Sequence, residues 1–293
     1  MNKKVVQQLN SYLAYTDMAD EINAHKDTVS SQSIKTSRVV LDNKLAEQWG
    51  KPKGTYITVE ADTVIDDNRM EFGRVARALS EALCSLGTFT DCLIVGLGNP
   101  YLTADALGTK VSKGLLVTRH LSDTTSGVGS LSLLCPSVLG VTGIESADII
   151  KGTIDRTKPS SIIVVDSLAS ASISRIATAF QVSDAGITPG SGIGNHRMTL
   201  SKATLGIPVY SIGVPLVVHA STIIKEYLSN YATSPHNPDN LNNLDAKEIQ
   251  NLVVTPKDID MLVDDCAKII STAINLSVHP ELTVEDLQKM HLC

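Results

Sequence analysis

Two aspartates stand where apolar runs of the sequence give way to polar loops. The run over residues 92–95 is followed by Gly96-Leu97-Gly98-Asn99 and then by Asp105, and a second run over residues 161–165 ends directly on Asp166. Apolar runs of this length without alternation are typical of strands buried on both faces of a parallel sheet. The carboxyl ends of such strands line the ligand crevice of open α/β sheets. Two carboxyls in one crevice are the minimum needed for acid–base chemistry on a peptide bond or a similar electrophile.

A glycine-rich segment over residues 186–197 is the third feature that bears on chemistry. Four of its glycines fall within nine residues, and glycine lets the backbone turn sharply and approach a neighbour closely. The segment is therefore predicted to form a rim beside the aspartates. The candidate residues that support the cleft are Asn99, Gly190, Gly192, Asn195 and His196.

Each of these features has a purely structural alternative. Asp105 could cap a helix, Asp166 could bond to its own loop, and the glycine-rich segment could be a connecting loop with an exposed His196. The occurrence of both acids at the ends of buried strands favours the catalytic interpretation.

Several other kinds of site are excluded by residue type and spacing. The stretch from Gly96 to Tyr101 lacks the third glycine of a dinucleotide loop, and Pro100 has no backbone N–H to offer a pyrophosphate. No G-x-S-x-G nucleophile elbow is present, and no histidines and cysteines cluster at zinc-ligand spacing. The sequence predicts neither a cofactor nor a bound metal.

Composition limits the compartment and the partners. The 293 residues are 43% hydrophobic, enough to bury a full core, and they carry a net charge of −6. The isoelectric point near 5.6 and the aromatic content of 4% argue against a nucleic-acid surface. No apolar stretch reaches the roughly 18 residues of a membrane span, and no secretion signal opens the chain. Five cysteines without a C-x-x-C motif are expected to be reduced thiols, so the prediction is a cytoplasmic protein without membrane or direct nucleic-acid partners.

Alternating strands and helices predict a three-layer α/β domain with a central, largely parallel sheet. Residues 1–35 are polar and are expected to be an appendage, and residues 230–248 a surface loop. Strands are predicted over residues 39–41, 55–60, 92–95, 114–118, 161–165 and 209–215. Helices are predicted over residues 13–24, 72–83, 147–154, 173–177, 217–228 and 262–274, with another after Asp105.

Ten motifs in chain order resemble the germination protease family of spore-forming bacteria. They span most of the chain, which makes the resemblance specific. They lie at residues 16–19, 54–60, 93–99, 103–108, 115–121, 143–145, 165–169, 186–197, 204–209 and 254–257.

The resemblance implies an atypical aspartic endopeptidase that degrades small acid-soluble spore proteins when a spore germinates. The family's two catalytic aspartates match Asp105 in Thr-x-Asp-Ala-Leu-Gly and Asp166 in Asp-x-Leu-Ala. The family is also made as a zymogen and forms a homotetramer. By this resemblance residues 1–15 are a propeptide cut between Tyr15 and Thr16, and residues 16–293 are one peptidase domain of the phosphorylase/hydrolase-like kind. The implied location is the cytoplasm of the forespore, the later spore core.

Two departures from the family pattern keep alternatives open. Pro100, Tyr101 and Leu102 replace the family's usual Trp-Asn-Val, and a long insertion ahead of Val254 is mostly absent. One alternative is an inactive paralogue that acts as a binding or regulatory protein. The other is a metal-dependent maturation protease on a related scaffold, although no ligand set for it can be assembled from the sequence. Sequence alone does not decide which aspartate is the acid and which the base.

Overall fold

The structure is a computed structural model that describes residues 16–22, 26–31, 33–61, 69–121, 128–190, 197–224, 249 and 252–290. Within these residues nine strands form a single sheet. They are β1 Lys26–Ser31, β2 Ile34–Leu41, β3 Gly54–Ala61, β4 Asp91–Gly96, β5 Ser130–Leu134, β6 Ser161–Ser170, β7 Ala179–Ser183, β8 Val209–His219 and β9 Val253–Val254.

The sheet has the strand order β1-β2-β3-β7-β8-β6-β4-β5, and β9 pairs with β8. Strands β5, β4, β6 and β8 run parallel to one another. The pairings of β1, β2, β3, β7 and β9 are antiparallel. The parallel strands end at a common edge, which is where an open α/β sheet offers its ligand crevice.

Helices connect the strands and cover the sheet. They are α1 Asn43–Trp49, α2 Arg69–Cys84, α3 Leu107–Val111, α4 Leu139–Thr142, α5 Ser146–Thr157, α6 Lys202–Leu205, α7 Ile259–Val278 and α8 Val284–Lys289. Residues 220–224 are also helical. Single turns of 3₁₀ helix lie at Ala19–Glu21, Thr103–Asp105, Ser112–Gly114, Arg119–Leu121 and Ile173–Arg175. In the part of the chain that the structure describes, no helix combines the length and the apolar character needed to cross a bilayer.

Successive residues of the central strands face two different cores. Ile94 and Ile163 pack with helices α2 and α7 on one face of the sheet. Their neighbours Leu93 and Ile162 pack with α5 and α6 on the other. Because side chains alternate across a strand, a strand covered on both faces must be apolar throughout. This arrangement confirms the predicted three-layer α/β fold.

The strand predicted over residues 114–118 is wrong. The segment is irregular, and the edge strand beside β4 is β5 instead. The segment is bonded in other ways: the Leu116 N–H donates to Asn275 Oδ1 at 2.9 Å, and the Thr118 hydroxyl oxygen accepts a bond from the Leu131 N–H at 3.0 Å. Side chains thus replace part of the hydrogen-bond ladder that a strand would supply.

Two helix predictions also fail because sheet pairing overrides helical spacing. The predicted helix over residues 173–177 is one 3₁₀ turn, after which Ala177 adopts a left-handed φ of 58° and leads into β7. The predicted helix from residue 217 begins later, since β8 continues to His219 in pairing with β6 and β9. The strand and helix predictions around residues 55–60, 72–83, 92–95 and 262–274 are confirmed.

The N-terminal segment that the structure describes belongs to the core. Met18 and Ala19 are fully buried, and the Asp17 N–H donates to the Ala169 carbonyl oxygen at 2.9 Å. The Ala19 N–H donates to Gln181 Oε1 at 2.6 Å. These bonds to the sheet explain why the helix predicted over residues 13–24 is reduced to a single 3₁₀ turn in its described part, and why the appendage prediction is wrong from Thr16 onward.

Candidate active site

Asp105 lies at the end of a tight loop that follows β4. The loop is held against the next turn by close backbone contact: a Cβ on Gly98 would lie 1.8 Å from the Asp105 carbonyl oxygen. Gly98 also adopts a φ of +102°, a conformation that side chains other than hydrogen rarely allow. Only glycine satisfies both conditions, so this residue sets the position of Asp105.

Asn99 supports Asp105 as predicted, but through its backbone. Its N–H donates to Asp105 Oδ2 at 2.8 Å. The Asn99 side chain instead accepts a bond from the Tyr101 N–H at 3.0 Å. The support for the carboxylate therefore depends on the shape of the loop, and the Asn99 side chain serves to hold that shape.

Asp166 lies inside β6, and the expectation that the strand ends on it is wrong. The strand continues to Ser170 because its partner β8 also continues, with Ser170 paired to Val218. Asp166 is only 5% exposed, and the N–H of Ser167 donates to its Oδ1 at 3.0 Å. The carboxyl is thus mounted on a buried central strand, which positions it more rigidly than a loop would.

The two aspartates line one small cavity. It holds a volume of about 60 Å³, enough for several water molecules. The residues that line it are Leu97, Gly98, Asp105, Ser137, Val138, Ser146, Asp166, Pro189, Gly190 and Arg197. The structure therefore brings together Asp105, Asp166 and Gly190 as predicted.

Sequence reasoning missed several residues of the cavity. Ser137 has a left-handed φ of 62°, its carbonyl accepts a bond from Ser146 Oγ at 2.9 Å, and its own hydroxyl is buried without a partner among the described residues. Strained backbone of this kind concentrates at functional sites. Arg197 was signalled by its place at the end of the glycine-rich segment, whereas nothing in the sequence pointed to Ser137.

A third carboxylate, in the N-terminal segment, acts on Asp166. Asp17 is fastened to β6 three residues beyond Asp166, since its Oδ2 accepts a bond from the Ala169 N–H at 2.9 Å. Its negative charge contributes to the raised pKa of Asp166. The only sequence signal for this residue was its place in the motif over residues 16–19.

The two catalytic candidates differ in acidity. Burial raises the pKa of Asp166 well above its ordinary value, and the charges of Asp105 and Asp17 raise it further against smaller opposing effects of the Ser167 N–H and Arg197. Burial also raises the pKa of Asp105, but the Asn99 N–H and the charge of Arg197 oppose that increase. The pair titrates as a unit, and the greater burial of Asp166 and the charge of Asp17 favour the proton of the pair on Asp166.

The remaining candidate residues lie partly outside the described structure. Gly192, Asn195 and His196 fall within residues 191–196, and Tyr15 precedes the first described residue. Thr16 is described, and its carbonyl oxygen accepts a bond from Lys51 Nζ at 2.8 Å. Across the described ranges no three His, Cys, Asp or Glu side chains are grouped so that they could hold a metal ion.

Replacing Gly98 by Ala is expected to destabilise the protein and to lower activity. The new methyl group would meet the Asp105 carbonyl oxygen, so the loop must shift and carry the carboxyl with it. The expected cost is roughly 2–5 kcal/mol, from backbone strain and overpacking together. Gly206→Ala is the matched control, because Gly206 has a φ of +80° with nothing within 4 Å of its Cβ position. Equal losses for the two variants in denaturant unfolding would show that the clash is harmless.

Comparison with known proteins agrees with the earlier resemblance. A family model described as germination protease matches residues 4–233. Germination proteases are similar along nearly the whole chain: 39% identity to that of Caldanaerobacter subterraneus subsp. tengcongensis, over 88% of this chain and 89% of the relative; 36% to that of Clostridium perfringens strain ATCC 13124, over 94% and 93%; and 32% to that of Bacillus subtilis strain 168, over 97% and 98%.

Among solved structures, a [NiFe] hydrogenase maturation protease, HycI from Thermococcus kodakarensis KOD1, matches with a TM-score of 0.36 and 18% identity. The match covers 67% of this chain and 98% of that protein. The family model and the full-length relatives place the function among the proteases, that is, the peptide hydrolases. The chain therefore belongs to the germination protease family.

Proposed function

We propose that this protease is an aspartic endopeptidase in which Asp105 and Asp166 activate water. The observation that carries the proposal is the cavity of about 60 Å³ that both carboxyls line. Two carboxyls in one low-dielectric cavity do not both ionise readily, so the pair keeps one proton over a wide pH range. The two required forms, a base and an acid, are then present together near neutral pH.

The surroundings of each carboxyl indicate which one acts as the base and which as the acid. Asp105, whose ionised form accepts the Asn99 N–H bond, takes a proton from the water that attacks the scissile carbonyl. Asp166 donates its proton to the carbonyl oxygen. When the tetrahedral intermediate collapses, Asp105 passes its proton to the leaving amine and Asp166 recovers one from the intermediate's hydroxyl, which restores the starting forms.

Membership of the germination protease family supports the substrate. We propose small acid-soluble spore proteins as the substrate and the cytoplasm of the spore as the place of action, with any contact to DNA made through the substrate. Incubating the purified chain with such a spore protein tests this directly. Failure of the folded, processed protein to cleave it would favour the alternative of an inactive paralogue.

Activity is expected to survive treatment with EDTA. The described residues near the dyad include carboxyls but no grouped set of three metal-binding side chains, and zinc sites use at least three such ligands. The measurement is the rate of peptide cleavage after dialysis against the chelator, with metal content determined on the same sample. A bound stoichiometric metal whose removal stops cleavage would contradict the dyad mechanism and favour a metal-dependent protease.

We further propose that residues 1–15 are a propeptide and that the protein assembles as a homotetramer. The first described residues begin beside the site: Thr16 is bonded to Lys51, and Asp17 is bonded to the strand that carries Asp166. This position of Asp17 on the strand of Asp166 supports the proposal that a segment joined to Thr16 restrains the dyad. Light scattering on the purified protein tests the oligomeric state.

A protein that begins at Thr16 is expected to be more active than the full-length protein and equally stable. Deletion up to Tyr15 leaves the bond between Thr16 and Lys51 and the bond between Asp17 and β6 in place. Intact-mass analysis and peptide assays on both forms make the comparison, and full-length protein carrying Asp105→Asn should retain residues 1–15 if the cut is autocatalytic. Equal activity of the uncut and truncated proteins would refute the propeptide.

A further inference from the structure

The cavity that holds the two carboxyls also holds a cation, Arg197. The chain that follows it is fixed. Ile187 and Leu200 exchange backbone hydrogen bonds of 2.9 and 2.8 Å, and the hydroxyls of Thr188 and Thr199 are bonded at 2.7 Å. Arg197 is two residues from this clamp, so its backbone enters the cavity wall at a defined position.

Arg197 favours ionisation of both carboxyls without forming a direct ion pair with either. Among the residues that the structure describes, it forms no salt bridge of 4.0 Å or less, yet its charge lowers the pKa of both Asp105 and Asp166. A direct two-point ion pair would occupy the oxygens of one carboxyl and hold it permanently ionised. A cation at longer range favours ionisation and leaves those oxygens available for proton transfer.

We propose that Arg197 is a positioning residue of the reaction, a cation that keeps one carboxyl of the dyad ionised and so sets the pH range in which the protease works. This inference rests on the aspartic mechanism proposed above. Burial and mutual repulsion both favour protonation of the two carboxyls. Without a compensating positive charge in the cavity, the base form would become scarce near neutral pH.

Asp17 provides the opposing charge. Among the described groups, the charges of Asp105, Asp17 and Arg197 shift the pKa of Asp166. Of the two charges outside the dyad, only that of Arg197 shifts the pKa of Asp105. Arg197 should therefore influence both ionisations of the pair, whereas Asp17 should influence only the second, in which Asp166 loses its proton. Substitution of Arg197 and substitution of Asp17 should therefore shift the two limbs of a pH–rate profile differently.

The test is the pH dependence of kcat/KM for the processed protein. Arg197→Met is expected to move both limbs to higher pH, by about one pH unit, because a nearby cation typically lowers a carboxyl pKa by roughly one to three units. Arg197→Lys keeps the charge and should keep both limbs near their original pH even if the rate falls. Asp17→Asn retains an oxygen that can accept the Ala169 bond and should move only the alkaline limb, toward lower pH.

Controls separate this inference from the mechanism on which it rests. Arg38→Met removes a cation from an exposed position on β2 and should leave both limbs in place. Limbs that do not move in Arg197→Met, or in Arg197→Gln if the Met variant does not fold, would overturn the role of Arg197. If Asp105→Asn and Asp166→Asn still cleave peptide, the aspartic mechanism itself fails, and the inference fails with it.

Discussion

Asp166→Asn is expected to abolish peptide cleavage and, at neutral pH, to make the folded protein more stable. The amide has nearly the same shape as the carboxyl, and its oxygen can still accept the Ser167 N–H bond. It cannot donate the proton that Asp166 holds, so the rate should fall by roughly 10²–10⁴-fold, the usual contribution of a positioned acid or base. Asp105→Asn should cause a similar loss, because an amide cannot remove a proton from water.

The gain in stability follows from the raised pKa of Asp166 in the folded protein. Below its ordinary pKa the carboxyl is protonated in both the folded and unfolded states, and burial then carries no extra electrostatic cost. As pH rises toward the folded pKa, the unfolded state releases the proton first and is favoured by doing so. Wild-type protein therefore loses stability over this range, and the Asn variant, which has no proton to release, does not.

Thermal unfolding of both proteins between about pH 3 and pH 8 measures the effect. The variant should be the more stable one near neutral pH, and the difference should shrink toward acid pH. Asp91→Asn is the control for activity, since Asp91 lies at the start of β4 and bonds Arg119 and Ser130 away from the cavity. A loss of only a few-fold in either dyad variant, with the fold intact, would remove that residue from the mechanism.

Arg175→Met is expected to cost about 3–5 kcal/mol of unfolding free energy, the range for breaking one side of a buried ion pair. Arg175 is 8% exposed. Its two terminal nitrogens each donate to an Asp20 oxygen at 2.8 Å. It also lies 3.3 Å from Glu21 and 3.5 Å from Glu60. Removing it leaves three carboxylates with no compensating guanidinium, in the place where the N-terminal segment joins the sheet.

The matched control is Arg77→Met, which removes a guanidinium from an exposed pair. Arg77 lies 3.2 Å from Glu285, and their side chains are 53% and 63% exposed, so the expected cost is much smaller than that of Arg175→Met. Denaturant unfolding of both variants gives the comparison. Addition of Asp20→Asn to Arg175→Met should recover part of the loss, because it removes one of the unpaired charges. Similar costs for Arg175→Met and Arg77→Met would contradict the proposed role of the buried pair.

The cluster also predicts how stability responds to acid. Burial raises the pKa of Asp20, but the bonds and charge of Arg175 and the Ser37 hydroxyl outweigh it, and the net pKa is lowered. A carboxyl with a lowered folded pKa stabilises the protein above its ordinary pKa, and this contribution disappears as pH falls through the folded value. Part of the acid sensitivity of the wild-type protein should therefore be absent from Arg175→Met.

The sequence by itself determined the layers of the fold and the identity of the two acids. The central residues of β4 and β6 are apolar at successive positions because helices cover both faces of the sheet, and such a run can be recognised from the local sequence. The same holds for α2 and α7, whose buried faces repeat at helical spacing. An acid that follows an apolar run is recognisable from its neighbours alone, which is why Asp105 and Asp166 were predicted as candidates although Asp166 lies inside its strand.

Only the tertiary structure decided what surrounds those acids. Residues 114–118 have the composition of a strand, but Leu116 is bonded to the Asn275 side chain, and the Thr118 hydroxyl is bonded to the Leu131 N–H. Residues 173–177 have helical spacing but lead into a strand that pairs with β3 and β8. The proposed role of Asp166 as the acid depends on Asp17 and on Arg197 at the end of the glycine-rich segment. Asp17 is held near Asp166 by its bond to Ala169, which lies 152 positions away in the chain. Electrostatic effects depend on distance in space and on burial. Neither quantity exists until distant segments have packed together, so the sequence located the two candidate acids and the fold determined their surroundings.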